Sequence, residues 1–186
     1  MKPALLIIGL GNPGAQYEET RHNMGFQALN LLAKEYGTDA WQEKQKFLSE
    51  MMEARIVTAP VLLVKPLTYM NRSGEAVKKL LEFYGLDASA LLILCDDIDL
   101  PVGELRLRPS GGPGTHNGLR SIVDHIGENF PRLRIGVGAQ KPGDDLSAYV
   151  LSKPPQAERK LLEDAIEEIP EMVREFVMGG MGLRPM

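Results

Sequence analysis

The stretch ALLIIGLGNPG (residues 4–14) decides the fold. An unbroken apolar run, Ala4 to Ile8, is closed by Gly9, and Asn12-Pro13-Gly14 follows as a strong turn signal. This pattern reads as a buried first strand. The run is too short to span a membrane and lacks the small-residue cleavage site of a secretory leader. Thr20 then offers an N-cap for a helix over 21–36, with Met24, Ala28, Leu31 and Leu32 at helical spacing and Gly37 at its end. A strand, a glycine-bearing turn and a helix in this order form the opening unit of an α/β domain.

The alternation continues along the chain. Phe47 to Thr58 and Val61 to Lys65 read as two strands joined at Ala59-Pro60, which adds an antiparallel portion. Ser73 caps a helix over 74–84, closed by Gly85. Leu91 to Cys95 is a second buried strand, and Leu105 to Arg108 alternates as a half-exposed one. The glycine-rich loop SGGPGTHNG (110–118) leads into a helix over 119–126, and Leu133 to Val137 is the last core strand. Pro154-Pro155 opens a charged helix over about 154–178 that Pro170 should kink or break, and 179–186 reads as a loose tail. The expectation is a single domain over 1–186. It would be a three-layer α/β sandwich with a mixed, mostly parallel central sheet and helices on both faces, with functional residues where strands end in loops.

Composition sets the class. The chain has 186 residues, 44% hydrophobic and 25% charged, the mix of an ordinary globular protein rather than a disordered or fibrous one. Its one cysteine, Cys95, excludes an internal disulfide and a cysteine-rich zinc site, and a cytoplasmic location fits best. The net charge of −4 is not that of a strong nucleic-acid binder. The sum conceals a gradient, however. Residues 102–141 carry 6 basic and 3 acidic groups, a basic island between two acidic flanks.

Four motifs bear chemistry. GLGNPG (9–14) matches a dinucleotide fingerprint, but the next helix starts too late and no acidic residue ends a strand about 20 residues on, so a nicotinamide site is disfavoured. Its turn instead pushes Asn12 toward a strand end. His22 opens the first helix, where it is either simply exposed or a base whose pKa the positive helix end lowers. In CDDIDLP (95–101), strand alternation sends Asp96 and Asp97 to opposite sides. One of them is then paired to a histidine or lies in a solvated turn, and a metal is not expected. His116 and Asn117 stand where the glycine-rich loop enters its helix. No G-x-S-x-G elbow exists and Cys95 lies inside an apolar strand, so a nucleophilic serine or cysteine is poorly supported. A histidine–aspartate pair with several amides and no nucleophile suggests water activation, the amides holding a carbonyl and its developing oxyanion.

These blocks together resemble the bacterial peptidyl-tRNA hydrolase family. They are GLGNPG, Tyr17, TRHNMGF (20–26), KPLTYMNRSG (65–74), DDIDLPVG (96–103), GGPGTHNGLRSI (111–122), FPRLRIGVG (130–138) and YVLSKP (149–154), in the family's order and spacing. The resemblance implies hydrolysis of the ester between a peptide and the 3′ end of tRNA, without a cofactor. From the residues themselves no metal and no membrane are expected, and no amphipathic surplus demands a dimer, so a monomer is expected. It implies that His22 activates water, that Asp96 holds its imidazole and that Asn12 senses the peptide group. Asn71, His116 and Asn117 would bind near the ester, Tyr17 and Tyr69 would contact the terminal nucleotide or peptide, and Met70 would line the wall. Arg108 and Arg134 would clamp tRNA phosphate. The chain departs from the family pattern at Tyr69, where Phe is common, at Thr115, often glycine, and at Ala139-Gln140. A non-catalytic RNA-binding protein on the same scaffold is the alternative, one that would not need the intact His22, Asp96, Asn12, Asn71 and Asn117 set.

Overall fold

A computed structural model describes residues 2–179. The chain runs β1 (Leu5–Gly9), α1 (Met24–Tyr36), β2 (Gln42–Lys44), β3 (Ser49–Ile56), β4 (Ala59–Pro66), α2 (Ser73–Tyr84), β5 (Leu91–Asp97), β6 (Leu105–Arg108), α3 (Asn117–Ile126), β7 (Arg132–Gly136), α4 (Leu146–Val150) and α5 (Gln156–Met178), with short 3-10 turns between. One seven-stranded sheet has the order β2-β3-β4-β1-β5-β7-β6. Its four central strands, β4, β1, β5 and β7, run parallel. Antiparallel strands extend it at both edges, β3 and β2 beside β4, and β6 beside β7.

The period-2 alternation of β1 explains the three layers. Leu5 and Ile7 face a core built with Ala28 and Leu32 of α1 and Leu162, Ile169 and Val173 of α5. Leu6 and Ile8 face the other core, with Val77 and Leu80 of α2 and Leu119 and Ile122 of α3. Both faces of the central strands are covered, so these strands are apolar throughout, as parallel strands require.

Several boundaries differ from expectation for physical reasons. The β3–β4 turn falls at Val57-Thr58, two residues early, because Ile56 already pairs with Ala59 and Pro60 lies within β4. A proline near a strand's start is tolerated, and its carbonyl accepts the Ala4 N–H at 2.8 Å. The turn instead forces Val57 to φ 55°, a strained value for a β-branched residue. The first helix begins as a 3-10 turn, Arg21–Asn23, and the Thr20 hydroxyl donates to the Tyr17 carbonyl rather than capping it. Helix α5 runs through Pro170 to Met178, since Ile166, Ile169 and Val173 stay buried on both sides of the proline. The Tyr36 hydroxyl donates to the Pro170 carbonyl there. Strand β2 and helix α4 carry too little apolar pattern to be expected. One is wholly exposed and held by pairing to β3, and the other rests on an Asp145 cap that accepts from the Ala148 N–H. Of the expected loose tail, Gly179 closes α5 and 180–186 lie outside the described residues.

Candidate active site

A cleft of about 760 Å³ opens where the parallel strands β1, β5 and β7 end. His22 and Asp96 meet on its floor. Neither is near the other in sequence, so the backbone must bring them together. It does so through two glycines. A Cβ on Gly9 would lie 2.3 Å from the Gly25 carbonyl oxygen, and one on Gly25 would lie 2.4 Å from Leu10 N and Leu94 O. With hydrogen in place of methyl at both, the start of α1 rests directly on the ends of β1 and β5. The preceding 3-10 turn then hangs His22 over Asp96, the sixth residue of β5.

Asp96 is 2% exposed and accepts two hydrogen bonds. His22 Nδ1 stands 2.8 Å from Oδ2, and His116 Nε2 stands 2.8 Å from Oδ1. Tautomers follow from the neighbours. His116 is the N-cap of α3, and its Nδ1 accepts from the Gly118 and Leu119 N–H groups, so its proton sits on Nε2 and points at Asp96. His22 likewise donates from Nδ1, which leaves Nε2 with its lone pair toward the cleft. Burial alone would raise the Asp96 pKa, but the charge and hydrogen bonds of the two imidazoles outweigh it and hold the carboxyl well below the usual range. For His22, burial pulls the pKa down while the charge and hydrogen bond of Asp96 push it up, and the push wins. The lowered value expected from a helix start is therefore reversed by a buried carboxylate at contact distance. His22, Asp96 and His116 also sit close enough to hold a metal ion. A cation would have to displace both bridging protons and leave His116 anionic, because its other nitrogen is already an acceptor, so this donor set fits proton sharing and not a metal.

Asn12 completes the floor. Its Oδ1 accepts the Met70 N–H at 2.8 Å, so its Nδ2 hydrogens remain for the cleft. Asn23, which the sequence reading passed over, grips the Asn12 main chain from both sides: it accepts the Asn12 N–H and donates to its carbonyl, each at 2.9 Å. Its signal lay in the TRHN string, one residue after His22.

Of the residues singled out from sequence, Asn12, His22, Tyr69, Met70, Asn71, Asp96, Arg108, His116, Asn117 and Arg134 all border this cleft. Tyr17 does not line it but packs edge-on to Tyr69, with ring centroids 6.4 Å apart. Tyr69 is 52% exposed and holds φ at 60°. His116, expected to bind substrate, has both ring nitrogens engaged within the protein, one of them with Asp96. Arg134 is ion-paired to Asp97, which also borders the cleft despite the expected opposite orientation, whereas Arg108 is exposed and free of carboxylates among the described residues. Sequence reasoning missed Arg120, Arg132 and the wall formed by Leu146, Ser147, Val150 and Leu151. The side chain of Arg132 is buried, stands 4.0 Å over the Phe130 ring and donates to the carbonyls of Gly112, Glu128 and Phe130, tying down the glycine-rich loop. Cys95 is fully buried in the opposite layer, and burial pushes its thiol pKa far up.

Known proteins share this arrangement's sequence and shape. A protein from Brevibacillus brevis named peptidyl-tRNA hydrolase is 46% identical over 162 residues, covering 87% of this chain and 85% of that one. One of the same name from Clostridium perfringens is 42% identical over 174 residues, covering 93% and 90%. The crystal structure of peptidyl-tRNA hydrolase from Acinetobacter baumannii superposes with a TM-score of 0.90 at 42% identity, covering 96% of this chain and 91% of that one. The sequence profile described as Peptidyl-tRNA hydrolase matches residues 6–184, so the blocks that meet in the cleft do so within one continuous match, and the chain belongs to the peptidyl-tRNA hydrolase family.

Proposed function

We propose that this chain hydrolyses the ester joining a peptide to tRNA, with His22 as the general base. One observation carries the assignment of the base: His22 is fixed through Nδ1 to a buried carboxylate, which leaves its Nε2 without a partner among the described residues, on the cleft floor. Nε2 removes a proton from water as the water oxygen attacks the ester carbonyl. The tetrahedral intermediate then expels the ribose oxygen of the terminal nucleotide, which takes the proton back from the imidazolium. The products are a peptide carboxylic acid, which then loses its proton to solvent, and tRNA with a free hydroxyl. Asp96 holds the ring and stabilises its transient positive charge, and His116 in turn holds Asp96. The Asn12 amide hydrogens face the substrate's peptide group, and Asn71 and Asn117 on the rim bind near the ester. Tyr17 and Tyr69 offer faces to the terminal base or peptide, with Met70 beneath. Arg108, and Arg134 to a lesser degree because Asp97 offsets it, contact phosphate.

An ester is activated enough for imidazole and water, and general-base catalysis contributes about 10²- to 10⁴-fold. His22→Ala should therefore slow cleavage of N-blocked aminoacyl-tRNA by about that factor while tRNA binding persists; undiminished turnover would remove His22 from the role. The blocked substrate should also be cleaved in preference to its unblocked counterpart. Work on tRNA fits a cytoplasmic location, and a single seven-stranded sheet with both faces covered fits one domain. Among the described residues no helix is long and apolar enough to cross a membrane. The non-catalytic RNA-binding alternative gains no support from the relatives.

A further inference from the structure

Arg21 precedes His22 on the same 3-10 turn, yet its side chain turns away from the floor and is buried, 5% exposed. It reaches the chain segment that forms the far wall of the cleft. Its guanidinium donates to the Ser152 hydroxyl and to Glu158 at 2.9 Å, and lies within 3.5 Å of the Tyr149 and Ser152 carbonyl oxygens. It also stands 4.2 Å over the Tyr149 ring, and the Arg21 N–H donates to the Ser152 carbonyl at 3.1 Å. Residues 149–152 end α4, whose Leu146, Ser147 and Val150, with Leu151, line the cleft. A helix of five residues cannot hold its place by its own hydrogen bonds. Burying a guanidinium is costly, and here Nε has no hydrogen-bond partner among the described residues. A planar fork is nonetheless the group that can bind a hydroxyl, a carboxylate and a ring face at once.

We propose that Arg21 is a positioning residue that sets the width of the substrate cleft, by fastening the Leu146–Leu151 wall to the turn that carries the base. The inference rests on the hydrolase reading above. The floor has fixings of its own, because His116 holds Asp96 from the start of α3 and the close Gly9–Gly25 contact seats the turn that carries His22 and Asn23 on β1 and β5. Loss of Arg21 thus loosens substrate binding and leaves the chemical step intact.

The test is steady-state cleavage of a blocked aminoacyl-tRNA by the full chain, with thermal unfolding measured alongside. Arg21→Gln should raise KM by about tenfold and leave kcat within about threefold. Arg21→Lys, which keeps an ion pair to Glu158 but cannot span Ser152 as well, should fall between. Should Arg21→Gln not fold, Ser152→Ala leaves the Arg21–Glu158 pair in place and should raise KM by about threefold. A lower Tm with KM unchanged would reduce Arg21 to a structural residue and overturn the proposal. A fall in kcat at constant KM would overturn it too, by placing the effect on the base. If the unaltered chain cleaves no ester, the hydrolase reading fails; if it cleaves and the variants match it, only the brace fails.

Discussion

The floor of the cleft and its rim are built in opposite ways. On the floor, Asn12, His22, Asn23 and Asp96 are all buried, and each is hydrogen-bonded to another element. On the rim, Tyr69, Asn71, Arg108 and Asn117 are exposed, and their side chains have no hydrogen-bond partner among the described residues. On the proposed mechanism the floor holds the reacting groups in one geometry, which is where preorganisation lowers a barrier. The rim is left adaptable, which suits a substrate whose peptide and tRNA both vary.

That contrast can be broken by substitutions on either side. Asp96→Asn should be the most damaging. It removes the charge that supports the imidazolium and gives His22 the wrong partner, so kcat should fall by about 10²-fold or more, in a single-turnover cleavage assay. A loss no greater than that from Asn71→Ala would erase the distinction between floor and rim. The pH profile sharpens it further. The proposed base would work only when unprotonated, and Asp96 raises the His22 pKa. Activity should then fall as pH drops through a midpoint above the ordinary imidazole value of about 6.5. In the Asp96→Asn variant the residual activity should have its acid limb displaced to lower pH. Matching midpoints in the two proteins would mean that the carboxylate does not govern the base. The gentlest effect belongs to the rim. Arg108→Ala should leave kcat near its starting value and weaken tRNA binding, reducing the slope of log affinity against log salt by about 0.7–0.9. Arg134→Ala should change that slope less, because Asp97 already offsets its charge.

The parts of the molecule governed by local pattern were readable from the chain. Strand β1, the parallel core strands and the helices α1, α2 and α3 follow from apolar periodicity and glycine ends. Strand β2 and helix α4 were not, because their positions depend on contacts with distant segments. The site divides the same way. Asn12, His22 and Asp96 announce themselves by their place at strand ends and helix starts. The string TRHN marks Arg21 and Asn23 but does not disclose their work, since each acts on a partner that only folding brings near. The direction of the His22 pKa shift was misjudged for a related reason. A helix end is a local feature, while Asp96 arrives from 74 residues away at 2.8 Å and outweighs it.

Cys95 sits one residue before Asp96 and turns into the opposite layer, 0% exposed. Peroxide and alkylating agents therefore meet no thiolate on the intact protein, however close the sulfur lies to Asp96 and its histidines. Only when the central strand parts from its neighbours does the sulfur come within reach, so the pace at which a maleimide consumes it counts openings of the sheet's middle.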